Sequence, residues 1–182
     1  TTGLQTVAGV GTAMNIEWTA SADMLPEGAH FGIAFAPGAA SGATANDKGV
    51  GGDSGGVGSG YDITVGSTGL MDGLNVFAGM STIEQSASVS GVGYDANRTQ
   101  YVAGATYAVG SVTVGYQYSK DNLQNAGIGA ASYYQNDAYG VSFAVNDDLT
   151  LSYGMHKSNK ATNDAAASIE LEAQSLQMSY TM

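Results

Sequence analysis

The chain has 182 residues, only 12% of them charged, and its formal net charge at pH 7 is −11. This acidity argues against nucleic acid and anionic lipid headgroups as binding partners. Since the chain contains no cysteine, neither disulfides nor thiolate metal sites can stabilise its fold. The many glycines and tyrosines, 27 and 11, favour β-structure over helix.

Alternation of apolar with small or polar residues predicts the strands, because successive side chains of a strand point to opposite faces. The first such segment covers residues 13–20, where Ile16 and Trp18 alternate with polar residues. Three further segments alternate in the same way, namely residues 30–36, 61–66 and 74–83. Residues 38–60 and 84–97 are rich in small and polar residues, so we expect long loops there.

The stretch RTQYVAGATYAVGSVTVGYQYSKD, residues 98–121, shows the pattern most clearly. It contains two alternating runs separated by Gly110 and Ser111. A tight two-residue hairpin accepts this step, because its first central position favours a positive φ. We therefore predict a β-hairpin here, followed by a loop over residues 120–136.

Three more alternating segments complete the chain, at residues 138–145, 149–156 and 175–182. Residues 146–148 form a predicted turn and residues 157–168 a predicted loop. Ile169 and Leu171 have the opposite parity to the apolar row of the last segment. This shift predicts a β-bulge or a late strand start near Ala173.

The predicted connections alternate between short and long, so all short ones should share one end of an up-and-down sheet. The row opposite the apolar residues contains mostly small and weakly polar residues instead of the Lys and Glu of a soluble surface. This pattern favours an all-β fold, a transmembrane antiparallel up-and-down β-barrel, over a soluble β-sandwich. A secreted or surface-exposed β-rich adhesin remains the alternative.

Four segments carry a resemblance to the general porins of alphaproteobacterial outer membranes. These are YDITVGSTGLMDGLNVFAGMS, RTQYVAGATYAVGSVTVGYQYS, DAYGVSFAVNDDLTLSYGMHKS and SLQMSYTM. The resemblance implies a 16-stranded barrel in the bacterial outer membrane, a homotrimer embedded in lipid. It also implies a passive, water-filled channel for small hydrophilic solutes and ions. Residues 1–12 would match the end of the loop that narrows the lumen.

Nine predicted strands are an odd number, and the sequence ends on Met182 where this family typically has a terminal aromatic residue. We therefore expect residues 1–182 to form one segment of a longer barrel, with strands over residues 13–182. In that barrel, residues opposite the apolar rows would face the water-filled lumen. The candidate pore-lining residues are Asn15, Glu17, Thr19, Asp62, Thr64, Asn75, Gln100, Thr106 and Gln117. Their acidic bias predicts mild cation selectivity.

The motifs that resemble catalytic or metal-binding sequences lack the further residues that such sites require. The string GGDSGG at residues 51–56 resembles the surroundings of a serine nucleophile, but its only upstream histidine is His30, on a predicted strand. The loop residues Asn46, Asp47 and Asp53 match no regular calcium motif, and nonspecific Ca²⁺ binding at such acidic loops is the alternative for them. His30 and His156 have no neighbours at metal-ligand spacing. We expect neither an enzyme nor a dedicated cofactor or metal site.

Overall fold

A computed structural model describes residues 15–37, 59–84, 97–124, 131–162 and 168–181. These residues form one sheet of nine antiparallel strands, with a single 3₁₀ turn at Ala22–Met24. The strands are β1 (Ile16–Thr19), β2 (Ala29–Ala36), β3 (Gly60–Ser67), β4 (Leu74–Ile83), β5 (Arg98–Val109), β6 (Val112–Asn122), β7 (Ala131–Ala144), β8 (Leu149–Thr162) and β9 (Ser168–Tyr180). The predicted all-β, antiparallel up-and-down architecture is confirmed. The expected end of a constriction loop, residues 1–12, lies outside the described residues, as do residues 46, 47 and 51–56.

Each strand pairs with its neighbours in sequence, so β1 and β9 form the two edges of the sheet that the structure describes. The connections after β1, β3, β5 and β7 are short and lie at one end of the strands, here called the short-turn end. The opposite end is called the long-loop end. Among the described residues, no helix is long and apolar enough to cross a membrane.

Two short turns depend on glycines in the left-handed region. Gly110 has a φ of 57°, which the two-residue turn between β5 and β6 requires. Gly73 has a φ of 77°, and its carbonyl accepts a hydrogen bond of 2.9 Å from the Ala108 amide. A Cβ at Gly73 would lie 2.1 Å from the Ala108 carbonyl oxygen. The β3–β4 turn can therefore lie against β5 only with glycine at this position.

The strands from β6 to β9 extend further toward the long-loop end than the alternation predicts. The predicted loops over residues 120–136 and 157–168 are too long, because β6 continues to Asn122, β7 begins at Ala131 and β8 continues to Thr162. The alternation fades there because both faces become polar, whereas the backbone hydrogen bonds of the sheet do not depend on side-chain polarity. Cross-strand side-chain contacts add to the pairing, for example Lys120 Nζ lying 4.4 Å from the centre of the Tyr133 ring.

The prediction of a bulge or late strand start near Ala173 is wrong. β9 begins at Ser168 and pairs with β8 in unbroken register, with Ile169 opposite Lys160 and Leu171 opposite Ser158. The face that carries Leu176 and Met178 further along β9 is occupied here by Glu170 and Glu172. Ile169 and Leu171 therefore lie on the opposite face. Glu172 forms an ion pair with Lys157 of β8, with a distance of 3.4 Å from Oε2 to Nζ.

Burial in this sheet is inverted relative to a soluble domain. Among the described residues, the buried polar side chains are Ser81, Gln100, Ser119 and Asn136, each at most 5% exposed. Only two hydrophobic residues of the described segments are buried, Ala36 and Ile83. Many large apolar side chains, by contrast, are exposed. A soluble protein would show the reverse distribution.

Candidate functional site

The sheet has two chemically distinct faces. The apolar face carries exposed side chains such as Ile33, Val65, Tyr101, Val114, Val141, Leu151 and Met178. Aromatic rings meet on this face, with the Tyr116 and Tyr139 ring centres 5.0 Å apart. The opposite, polar face holds every buried residue named above. Greater cover on the polar side indicates a sheet that curls toward that face, because side chains converge on a concave surface.

The apolar side chains form a band that runs obliquely across the strands. On the long-loop side, the band ends at Tyr61 in β3, beyond which the described chain has Ser59, and at Leu176 in β9. The hydrogen-bonded row that starts at Tyr61, however, reaches β9 at Ser168, eight residues from Leu176. The limit of the band therefore shifts by about 26 Å along the strands over about 29 Å across the sheet, an angle of about 40°. Strands of transmembrane barrels tilt by about 35–45°.

A cleft of about 350 Å³ lies on the polar face of β1 to β3. The described residues that line it include Glu17, Asp62 and His30, and none of them is a lysine or an arginine. Five of the predicted pore-lining residues line this cleft, namely Asn15, Glu17, Thr19, Asp62 and Thr64. The cleft is therefore a concave, acidic and hydrogen-bonding surface.

The other four predicted residues also lie on the polar face. Asn75 is paired with Thr106 across β4 and β5, nearer the short-turn end. Gln117 lies on β6 opposite Gly104. Gln100 is only 2% exposed, because its side chain is covered by its neighbours. All nine residues thus share one face, and their role as pore-lining residues stays a prediction.

The sequence alone did not identify an ion-pair network at the long-loop end of β5 and β6. The Arg98 guanidinium donates to both carboxylate oxygens of Asp121, with an Nε to Oδ1 distance of 2.9 Å. The Gln100 amide donates to the same carboxylate at 3.2 Å. A bidentate arginine–carboxylate pair fixes geometry as well as adding energy. The network ties the ends of two strands together on the polar face.

A second network continues along β6, β7 and β8. Asn136 donates to Ser119 Oγ at 3.3 Å and accepts a hydrogen bond of 2.7 Å from Ser158. Further toward the long-loop end, Lys160 Nζ lies 6.0 Å from the centre of the Tyr134 ring. Together the two networks connect β5 with β6, and β6 with β7 and β8, through hydrogen-bonded side chains on the polar face.

The part of the chain that the structure describes contains no cluster of side chains suited to binding a metal ion. No group of three or more His, Asp or Glu side chains converges there. His30 and His156 lie six strands apart, on β2 and β8. What the described part of the polar face offers is hydrogen-bonding groups and charge.

No family model matches the sequence, and no curated protein matches it. The fold is similar to that of OmpF, a porin of Salmonella typhi, in its complex with daunomycin, with a TM-score of 0.66 and 18% sequence identity. The match covers 92% of this chain and 50% of OmpF, so the chain spans about half the length of that porin. Similarity at this level of identity establishes the fold alone. The nine strands that the structure describes have the up-and-down arrangement of a porin-like β-barrel.

Proposed function

We propose that this chain forms part of the wall of an outer-membrane porin, a passive, water-filled channel for small hydrophilic solutes and ions. The observation that carries the proposal is the inverted burial, with polar groups covered on one face and an oblique apolar band exposed on the other. Lipid can cover such a band at low free-energy cost, whereas water cannot. The fold similarity to OmpF supports the same reading.

The mechanism is diffusion, so the wall needs no catalytic residue and no cofactor. Hydroxyl, amide and carboxylate groups on the polar face replace part of the hydration of a passing solute. Glu17 and Asp62 on the cleft raise the local concentration of cations, which gives mild cation selectivity. Glycine and alanine between these groups leave room for water.

Assembly and location follow from the same proposal. The apolar band contacts lipid, and three copies of the complete protein associate in the bacterial outer membrane, as in the alphaproteobacterial porins that the sequence resembles. No observation favours the adhesin alternative. An adhesin would need a water-exposed surface, and the apolar face is unsuited to that role because it would aggregate in water.

The decisive experiment is single-channel recording of the complete protein in a planar lipid bilayer. We expect stepwise, ohmic openings whose conductance scales with salt concentration, because the pore is filled with water. Protein that is folded and inserted but electrically silent would contradict the proposal.

Glu17 provides the sharpest test of selectivity. Glu17→Lys reverses a charge on the acidic cleft, so cations should lose part of their advantage. In a roughly tenfold KCl gradient we expect the reversal potential to fall by about 10 mV. Glu170→Lys makes the same charge change on the other face of the sheet and should leave the reversal potential unchanged. Equal changes of the reversal potential in the two variants would show that Glu17 does not face the lumen.

A further inference from the structure

One row of the polar face alternates rings with glycines. Passing from β2 to β5, the directly paired residues are His30, Gly66, Phe77 and Gly104. His30 and Phe77 are large planar side chains on a face otherwise dominated by small ones. Each has a glycine next to it on the strand that follows.

Each ring occupies the space that a side chain at its glycine would need. A Cβ built on Gly66 would be 2.1 Å from Cε1 of His30, and its next two neighbours at 2.8 and 2.9 Å are also imidazole atoms. A Cβ built on Gly104 would be 2.5 Å from Cζ of Phe77. Real Cβ atoms do not approach other atoms this closely, so any side chain at either glycine must displace the ring.

The sheet restricts the direction of displacement. Because the backbone of the next strand lies beneath each ring, a displaced ring cannot move toward the wall, whereas rotation about its side-chain bonds can move it away from the wall. Side chains of a strand otherwise stand roughly perpendicular to the sheet. In the proposed channel, that direction leads into the lumen.

We propose that these two ring-on-glycine pairs set the free cross-section of the channel along this wall, which makes Gly66 and Gly104 size-determining residues for solutes. The inference rests on the proposed function, since it requires a water-filled lumen over the polar face. Glycine at these positions keeps two bulky rings out of the solute path, and the size limit for solutes follows from it.

Gly66→Ala in the complete protein is the cleanest test, because the three atoms nearest the new Cβ all belong to the His30 ring. We expect its single-channel conductance to fall by about one-fifth and its exclusion limit for neutral polymers to shift to smaller sizes. The double variant His30→Ala/Gly66→Ala should regain the original conductance, because no ring is left to displace. Gly140→Ala is the matched control, since it lies on the same face with nothing within 4 Å of the added Cβ.

Gly104→Ala is a weaker test. Its Cβ would also lie 2.9 Å from the Tyr116 carbonyl oxygen, so the backbone of β6 must move as well. Restoration of conductance by adding Phe77→Ala should therefore be partial. Full loss of conductance in both single and double variants at this position would not fit the proposal.

The outcomes separate the two proposals. A silent parent protein would refute the porin function itself. A conducting parent whose Gly66→Ala variant equals Gly140→Ala in conductance and exclusion limit would overturn the size-determining role alone. If Gly66→Ala fails to insert, the double variant decides, because recovered insertion with the original conductance supports displacement of His30 and continued failure overturns it.

Discussion

Replacing Val141 by arginine is expected to destabilise the folded protein in a lipid bilayer by about 2–4 kcal/mol. Val141 lies near the middle of the apolar band on β7, paired with Val114 and Tyr153, and is 40% exposed. In the proposed membrane setting, that exposed fraction contacts hydrocarbon. A guanidinium there must lose its hydration or draw water and headgroups toward itself, and both cost free energy.

The adjacent residue supplies the control. Ser142 lies on the polar face between Thr113 and Ser152, so Ser142→Arg places the same side chain in the proposed water-filled lumen. Its cost should stay within about 1 kcal/mol. The measurement is reversible urea unfolding of the complete protein in lipid vesicles, followed by tryptophan fluorescence. Equal losses of unfolding free energy in the two arginine variants would favour a β-protein that is exposed to water on both faces. A gain in solubility without detergent for Val141→Arg would favour the same alternative.

The sequence is sufficient to predict the strands where one face is apolar. From Leu149 to Met155 in β8, for example, the period of two identifies both the strand and its faces. Beyond the apolar band the signal ends, because water on both sides of a strand places no constraint on alternation. This explains why the predicted strands stopped near Tyr118 and His156 while the hydrogen-bonded pairing continues.

The predicted pore-lining residues share one face because face assignment requires only parity. The networks between strands require register, which parity does not supply. Counting outward from the Gly110–Ser111 turn pairs Gln100 with Asp121, so a signal for this contact was present. The alternation does not reveal this contact, because the polar residues from 120 to 136 predict a loop there. The ring-on-glycine pairs were beyond reach for a different reason, since they depend on the direction in which a side chain leans.

Removing the Arg98 side chain is expected to have the second largest effect on stability. In Arg98→Ala, the Asp121 carboxylate loses both hydrogen bonds from the guanidinium and keeps the one from the Gln100 amide. Loss of one partner of a fully buried pair costs about 3–5 kcal/mol. The two side chains here are 26% and 20% exposed, so water screens part of this cost and we expect about 2 kcal/mol.

The exposed pair between Lys157 and Glu172 is the matched control, because its side chains are 43% and 37% exposed. Lys157→Ala should cost less than about 0.5 kcal/mol. The double variant Arg98→Ala/Asp121→Ala should cost less than the sum of its single variants by about 1–2 kcal/mol, measured by the same urea unfolding. Additive effects would show that the two side chains do not stabilise each other.

We expect a measurable coupling between Arg98 and Asp121 because of their position at the long-loop end of β5 and β6. At this level the apolar face of β5 and β6 carries Thr99, Lys120 and Asn122 instead of hydrophobic side chains. In the proposed membrane setting, lipid contact therefore contributes little to stability there, and the strand ends depend on hydrogen bonds such as that from Asn122 to Thr99 at 3.2 Å. Loss of Arg98 should thus raise amide hydrogen exchange selectively from Arg98 to Val102 and from Ser119 to Asn122, while the centre of the apolar band keeps its protection.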